Sequence, residues 1–275
     1  MTDPRRRDVH RAQRRKSKGG LVTAIISVIV VGLVVAIIAL WPRPQEEVAV
    51  QTPSPSVTAS ESPTPSATPT PSFDTTQFSI DDPASPWVVV NKLRPLNPQD
   101  YEAPDLIETP VPKQNPSILR QQVADAVVAM FAQFTAETGL QMQVQSAYRS
   151  YSTQVRVYNG WVSSRGQEYA DSHSARAGHS EHQTGLALDI SALPLNCALE
   201  ACFADTPQGQ WLAANAYKWG FVLRYPNGMD AITGYTFEPW HYRYVGVELA
   251  TEMHDTSVAT LEEFFGLPAA PTYAG

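Results

Sequence analysis

The sequence predicts an α+β protein, with a single extracellular domain whose mostly antiparallel sheet is flanked by helices, preceded by one transmembrane helix. Two observations predict this class. An uncharged apolar run of 21 residues lies near the N-terminus, and in the last 203 residues strand and helix patterns mix without the regular alternation of a parallel βαβ sheet. A length of 203 residues suits one domain of ordinary size, so we expect residues 73–275 to form one domain.

The N-terminal region has the pattern of a membrane anchor. Residues 1–20 hold eight of the chain's 20 Lys and Arg against two acidic residues, and residues 21–41 carry no charge. At about 1.5 Å per residue, 21–41 would span a hydrocarbon core of roughly 30 Å. A cleavable signal peptide has a shorter apolar region. Because basic residues stay on the cytoplasmic side, we expect a basic cytoplasmic tail, a transmembrane anchor and an external remainder.

Residues 42–72 have the composition of a stalk. They contain eight of the 23 prolines, mixed with Ser, Thr and Ala, and no aromatic residue. Such a segment buries too little apolar surface to fold, and its prolines favour an extended chain of about 3.1 Å per residue. We expect a disordered stalk that holds the domain up to roughly 100 Å from the membrane. A spacer without a particular reach is the alternative.

The first half of the domain is predicted to contain two strands and two helices. Residues 86–90 form a short β-branched run, which indicates a strand. Within 117–138 apolar residues recur every three or four positions and Gly139 follows, which predicts a core-facing helix. Residues 140–145 alternate apolar and polar side chains, which predicts a strand, and 152–162 have helical composition.

The second half is predicted to contribute three strands and two helices. We expect strands at 186–190, 221–223 and 235–245, and helices at 208–219 and 261–265. Since strands and helices do not alternate regularly, the predicted sheet is antiparallel.

The charge distribution argues against one class of partner. Beyond the basic tail the chain carries 12 basic and 25 acidic residues, a net charge of −13. A domain this acidic repels a phosphate backbone. We therefore expect no nucleic-acid partner, whereas the basic tail suits an anionic lipid surface.

Two histidines, His182 and His241, lie close in the sequence to acidic residues. His182 precedes Asp189 in the run S-E-H-Q-T-G-L-A-L-D at 180–189, and His241 ends the run E-P-W-H. Two imidazoles and a carboxylate offer the nitrogen and oxygen donors that zinc accepts, and three protein ligands leave a fourth position for water. The spacing alone leaves open a hydrogen-bonded core histidine and a turn aspartate.

Glu238 lies three residues before His241, with Pro239 between them. On a regular strand, side chains three residues apart face opposite sides. Proline cannot donate to a central ladder, so the chain is expected to bend and bring Glu238 and His241 together. A glutamate beside a metal site is suited to act as a general base.

Four motifs in order resemble a known family, the VanY-type D-alanyl-D-alanine carboxypeptidases of zinc peptidase family M15 (M15B). They are V-N-K at 90–92 with P-L at 95–96, S-A-Y-R-S at 146–150 with Gln154 after it, S-x-H-x-x-G-x-A-x-D at 180–189, and E-P-W-H-Y-R-Y-V-G at 238–246. The resemblance covers residues 86–266 and implies a hedgehog/DD-peptidase-like fold.

The resemblance implies a role for each motif residue. It makes His182, Asp189 and His241 the Zn²⁺ ligands, Glu238 the catalytic base and Arg149 the positive group near the scissile carbonyl.

Two further motif positions, Gln154 and Ser180, are implied to bind the substrate peptide. The alternatives are a helix-surface residue for Gln154 and a turn or cap for Ser180. His179 is assigned to the loop, because three ligands complete the usual catalytic set. Arg224 and Arg243 are assigned structural roles, with reading of the substrate carboxylate as the alternative.

Cys197 and Cys202, the only two cysteines of the chain, are separated by four residues. Disulfides persist outside the membrane, so we expect these cysteines to pair and staple a loop after Asp189. Zinc binding by the two cysteines is the alternative, but it lacks the second pair that such sites need.

The resemblance implies a zinc-dependent carboxypeptidase that trims the terminal D-Ala from peptidoglycan stem peptides at the bacterial cell membrane. Two alternatives stay open. One is an L,D-carboxypeptidase that acts on tetrapeptide stems, and the other is a non-catalytic peptidoglycan-binding module. The intact Glu238 and the three ligands argue against the module, while the motifs do not separate the two peptidases.

Overall fold

The computed structural model of the chain describes residues 73–274. The predicted cytoplasmic tail, the transmembrane helix at 21–41 and the stalk at 42–72 lie outside the described residues. Among residues 73–274, the helices are all too short or too polar to span a membrane.

The described residues form an α+β fold, as predicted. The strands are β1 Leu106–Glu108, β2 Ile118–Arg120, β3 Gln141–Ser146, β4 Ala187–Leu193, β5 Phe221–Leu223 and β6 His241–Tyr244. The α-helices are α1 Gln121–Thr138, α2 Tyr151–Arg165, α3 Gln167–His173, α4 Pro207–Asn215, α5 Asp230–Thr233, α6 Val247–Asp255 and α7 Leu261–Phe264. Short 3-10 helices cover Glu181–Thr184, Ala201–Asp205 and Ala216–Trp219.

The central sheet has four strands in the order β3-β4-β6-β5, and every neighbouring pair is antiparallel. The predicted antiparallel sheet is therefore confirmed. Strands β1 and β2 form a separate two-stranded sheet. Helix α1 packs into the core with β3 and β4, and its buried residues are those of the predicted periodic stripe, including Val127 and Phe134.

The helix predicted at 117–138 begins later, at Gln121. Ile118 and Leu119 fit either a helical stripe or a strand, and the structure uses them in β2 because β1 supplies a partner strand. The pairing partner lies outside the window in which periodicity is read, so the sequence pattern could not reveal it.

The strand predicted at 86–90 is wrong. Trp87 and Val89 pack in one apolar cluster, and Val88 and Val90 pack in another. The segment is thus buried on both sides without a neighbouring strand among the described residues, and its polar backbone is satisfied by other groups. The guanidinium of Arg243, for example, donates to the carbonyl oxygen of Val88 at 2.8 Å.

The strand predicted at 235–245 is shortened to β6, residues 241–244. The backbone N–H of His241 donates to the carbonyl oxygen of Glu238 at 3.0 Å, which closes a turn around Pro239. The predicted bend at this proline is confirmed. The helix predicted at 208–219 is divided into α4 and a 3-10 turn, Ala216–Trp219, and the remaining predicted strands and helices agree with the structure to within a few residues.

Candidate active site

The sheet brings two of the three predicted ligands together. In the antiparallel pairing of β4 with β6, Asp189 lies directly opposite His241. Side chains of such a pair project from the same face of the sheet. Asp189 Oδ1 lies 3.2 Å from His241 Nδ1.

His182 reaches the same point from the 3-10 helix Glu181–Thr184, which ends at Gly185 just before β4. Gly185 has a φ of +69°, and a Cβ there would lie 2.7 Å from the Leu106 side chain. A glycine is therefore needed to turn the chain from the His182 helix into the strand.

The hydrogen bonds of His182 determine which ring nitrogen is free. Nδ1 lies 2.7 Å from the carbonyl oxygen of Ala147, which can only accept, so the Nδ1 proton is used there. Nε2 then lies 3.4 Å from Asp189 Oδ2. Burial and the nearby Arg149 guanidinium lower the pKa of His182 to about 4, so the ring is neutral at pH 7.

The three side chains fit a zinc ion. One donor atom from each of His182, Asp189 and His241 lies within 4.8 Å of the others, and all three residues are buried. His182 Nε2 and Asp189 Oδ1 are buried and have no hydrogen-bond partner among the described residues. Buried polar atoms without a partner are costly, and two imidazole nitrogens with a carboxylate are donors that zinc prefers.

Glu238 lies beside this group of donors. Its Oε2 is 3.8 Å from His241 Nδ1, and the side chain is almost completely buried. Burial raises the pKa of Glu238 to about 8, although the charges of His241 and Arg149 oppose the shift. A carboxyl group poised near neutral pH can both accept and return a proton.

Arg149 lies in the same cleft, just after β3. Its backbone N–H donates to the carbonyl oxygen of His182 at 3.2 Å, and its guanidinium donates to Gln154 Oε1 at 2.9 Å. The side chain lines a cleft of about 370 Å³ together with His182, Asp189 and Glu238. A fixed positive charge therefore faces the same space as the three donors.

The structure places Gln154 behind Arg149. Gln154 is fully buried in α2, so the helix-surface alternative is wrong. Its Oε1 accepts from Arg149 and its Nε2 donates to the carbonyl oxygen of Ala175 at 2.6 Å. Through these two hydrogen bonds the Gln154 amide orients the guanidinium of Arg149. Gln154 is not among the described residues that line the cleft.

Ser180 does line the cleft and is buried. It stands at the N-cap position of the Glu181–Thr184 helix, but its side chain makes no capping hydrogen bond to the residues that the structure describes. The position is thus compatible with a substrate contact.

The other assigned side chains lie away from the ligand atoms. His179 Nδ1 lies 2.8 Å from the carbonyl oxygen of Asn91 in the loop. Arg224 and Arg243 are buried and both donate to Glu181, at 2.7 and 2.9 Å. Neither arginine is among the described residues that line the cleft. Cys197 and Cys202 are joined by a disulfide.

Several residues of the cleft were missed by sequence reasoning. One wall of the cleft is formed by α2 and α3, and the disulfide loop also contributes. The residues are Val157 and Trp161 of α2, Tyr169 and His173 of α3, and Leu199 of the loop. These positions carry no motif, because a cleft wall is assembled from separate segments. Glu181 was also missed, although it lies inside the motif that contains His182.

Comparison with known proteins places the chain in a family. The family model described as VanY, D-alanyl-D-alanine carboxypeptidase, matches residues 116–247. YodJ of Bacillus subtilis (strain 168), whose name describes it as a presumed carboxypeptidase, is 40% identical over 192 residues, which are 68% of this chain and 69% of YodJ. The chain belongs to the VanY family. A D-alanyl-D-alanine carboxypeptidase of Enterococcus faecalis (strain ATCC 700802 / V583) is 36% identical over 130 residues, 44% of this chain and 46% of that protein.

Solved structures of similar proteins have the same fold. The LD-carboxypeptidase LdcB aligns with a TM-score of 0.62 and 39% identity, over 67% of this chain and 87% of that one. A variant of the vancomycin-resistance D,D-pentapeptidase VanY, in complex with Zn(II), aligns with a TM-score of 0.54 and 29% identity, over 65% of this chain and 97% of that one. This VanY-family chain is accordingly a metallopeptidase of the carboxypeptidase class.

Proposed function

We propose that the chain is a zinc-dependent D-alanyl-D-alanine carboxypeptidase that removes the terminal D-Ala from peptidoglycan stem peptides. The observation that carries the proposal is one cleft in which the donors of His182, Asp189 and His241 adjoin the buried Glu238 and the half-buried Arg149. Membership of the VanY family supports the substrate class.

Each side chain has a distinct task. Zinc held by His182, Asp189 and His241 would lower the pKa of a water molecule and polarise the scissile carbonyl. Glu238 accepts the proton of the attacking water and returns it to the leaving amine of D-Ala. The guanidinium of Arg149, held by Gln154, stabilises negative charge that develops on the carbonyl oxygen.

The second candidate is an L,D-carboxypeptidase that acts on tetrapeptide stems. The observation in its favour is the similarity to two L,D-carboxypeptidases. LdcB is 39% identical, and DacB of Streptococcus pneumoniae is 34% identical over 68% of this chain and 89% of that one. The D,D-pentapeptidase VanY structure is 29% identical. Both candidates use the same donors and the same base.

Mass spectrometry separates the candidates. Full-length protein in detergent, loaded with zinc, is incubated with a pentapeptide stem and separately with a tetrapeptide stem. Loss of one alanine mass from the pentapeptide alone supports the D,D-carboxypeptidase, and loss from the tetrapeptide supports the L,D-carboxypeptidase. Loss from neither would contradict both and would favour a binding module. Glu238→Gln serves as the inactive control.

We also propose that the protein is a single-pass protein of the bacterial cell membrane, anchored by residues 21–41, with its N-terminus in the cytoplasm and its catalytic domain outside. The uncharged run and the basic residues before it support this topology. The test is to add protease to intact cells: digestion of the domain but not of an N-terminal tag is expected. Recovery of the whole chain in the soluble fraction would contradict the anchor.

A further inference from the structure

Glu181 is a buried carboxylate that touches the candidate metal centre without being one of its three donors. It directly precedes His182, and the residue is 1% exposed. Glu181 Oε2 lies 3.2 Å from His241 Nε2. Glu181 therefore contacts the ring of His241 on the side opposite to Asp189.

Two arginines keep Glu181 charged and in place. Arg224 Nε and Arg243 Nη1 both donate to Glu181 Oε1, at 2.7 and 2.9 Å. An ionised carboxylate has no proton to donate, so it can only accept from His241 Nε2. The proton of the His241 ring that faces Glu181 must accordingly sit on Nε2.

This proton placement determines what the other ring nitrogen can do. A neutral imidazole carries one N–H. Nδ1 lies 3.2 Å from Asp189 Oδ1, but that oxygen accepts no hydrogen bond from the described residues. In the neutral ring of a metal-binding histidine, a proton on Nε2 leaves the lone pair of Nδ1 for the metal. Carboxylates that accept from the second nitrogen of a metal-binding histidine fix its tautomer and ring orientation.

The arginines are themselves fixed by contacts to distant segments. Arg224 donates to both carboxylate oxygens of Glu262 in α7, at 2.9 and 2.7 Å. Arg243 Nη2 donates to the carbonyl oxygens of Pro86 and Val88, at 2.9 and 2.8 Å. Two arginines and two glutamates balance their charges in this buried network, so Glu181 has little freedom to move away from His241.

We propose that Glu181 is a positioning residue that holds His241 in the Nε2–H tautomer and thereby presents Nδ1 to the metal. The proposal rests on the proposed function only in taking His241 as a zinc ligand. It assigns the Arg224–Glu181–Arg243 group a task in metal binding in addition to stabilising the fold.

The first test uses the wild-type protein. Nitrogen-15 NMR of the zinc-loaded, histidine-labelled chain is expected to show the His241 proton on Nε2, in a hydrogen bond, with Nδ1 bound to zinc. A proton on Nδ1 with Nε2 bound to zinc would overturn the proposal, and this result does not depend on whether any variant folds.

The second test compares Glu181→Gln with Glu262→Gln. Zinc affinity is measured by competition with a chelator on full-length protein, without any substrate. A glutamine at 181 can offer an N–H to His241 Nε2 and so permits the other tautomer. The loss of such a carboxylate partner lowers metal affinity by about 10- to 100-fold. We expect this loss for Glu181→Gln and a change below about threefold for Glu262→Gln, because Glu262 shares Arg224 but does not contact His241.

Equal zinc affinity in Glu181→Gln and wild type would contradict the proposal, and so would an equal loss in both variants, since that pattern indicates general damage to the network. The zinc-affinity and tautomer measurements are independent of the assay for D-Ala release that tests the proposed function. A wild-type chain that binds zinc but releases no D-Ala would refute the carboxypeptidase assignment, while the tautomer and the affinities would still decide the role of Glu181.

Discussion

At the scale of single residues, the surroundings of two carboxyl groups in the site, those of Asp189 and Glu238, shift their pKa values in opposite directions. Burial would raise the pKa of Asp189, but His182 and His241 outweigh it and hold that pKa below its usual range. Burial raises the pKa of Glu238 to about 8. Two acids whose pKa values are moved apart have different tasks, so Asp189 is suited to bind metal as a carboxylate and Glu238 to carry a proton.

Glu238→Gln is expected to keep zinc binding and lose turnover. The amide has a similar shape but cannot accept the proton of water, and a general base contributes about 10²- to 10⁴-fold to rate. The check is kcat for D-Ala release together with zinc content. His182→Ala is the control that should lose zinc. Turnover close to that of wild type in Glu238→Gln would refute the assignment.

Gln154→Leu is expected to lower kcat/KM by about 10- to 100-fold, because Arg149 loses its acceptor and hydrogen bonds of charged groups contribute about 1.5–3 kcal/mol. The matched control is Val155→Ala, a change at an exposed neighbouring position of the same helix. Steady-state kinetics of Gln154→Leu, Arg149→Ala and the double variant check the mechanism. If the effects of the two single changes were fully additive, Gln154 would not act through Arg149.

At the scale of elements, the site depends on how the ends of three segments meet. The Glu181–Thr184 helix ends at Gly185, β4 begins at Ala187, and Asp189 in β4 pairs with His241 in β6. His182 is thus attached to the sheet through a single left-handed residue.

Gly185→Ala is expected to destabilise the domain more than Gly139→Ala. Both glycines have a left-handed φ, +69° and +71°, but a Cβ at 185 meets Leu106 at 2.7 Å while a Cβ at 139 meets nothing within 4 Å. Placing an alanine in the left-handed conformation costs about 1–2 kcal/mol by itself. Gly139→Ala measures this backbone cost without a steric contact. Denaturant unfolding and zinc affinity are the measurements. Equal losses of stability would show that the contact with Leu106 is unimportant.

The buried network makes the domain sensitive to acid. Burial would raise the pKa of Glu262, but Arg224 outweighs it and holds that pKa below its usual value of 4.5. The unfolded chain therefore binds a proton that the folded chain does not, and this contribution is complete above about pH 4.5 and lost as the pH falls below it.

Glu262→Gln tests this pH dependence. Breaking a buried pair costs up to about 3–5 kcal/mol, and the difference in unfolding free energy between wild type and variant is expected to be constant above pH 5 and to shrink below pH 4.5. Urea unfolding at several pH values is the measurement. A difference that stays constant down to pH 3 would contradict the ionised Glu262–Arg224 pair.

At the scale of the whole molecule, the three metal donors come from chain positions that are up to 59 residues apart, between His182 and His241. A ligand that binds only the folded state stabilises it. Zinc is therefore expected to link the 3-10 helix, β4 and β6 energetically.

Zinc removal is expected to lower Tm. At free zinc of 100 times Kd the stabilisation is about 2.7 kcal/mol, which corresponds to roughly 5–10 °C for a domain of this size. Calorimetry of the protein with zinc and with a chelator measures the shift. His241→Ala supplies the control, since its Tm should not respond to zinc, and an unchanged wild-type Tm would contradict a metal centre built from these residues.

Much of the fold follows from local pattern, and the exceptions share a cause. The periodic stripe of α1 and the alternation of β3 were sufficient to predict both elements. Residues 86–90 have the composition of a strand but have no partner strand among residues 73–274. Ile118–Arg120 do have a partner strand, β1, which the periodicity of the sequence does not reveal. Whether a β-branched segment becomes a strand depends on a neighbour elsewhere in the chain.

The sequence by itself determined the family, the α+β class and the residues proposed as zinc donors and base, because these depend on residue types at short spacing. Only the tertiary structure decided that Asp189 lies opposite His241, that Gln154 supports Arg149 and that Glu181 accepts from His241. The physical reason is that strand register, and the burial that excludes water from a polar network, are set by segments far apart in the chain.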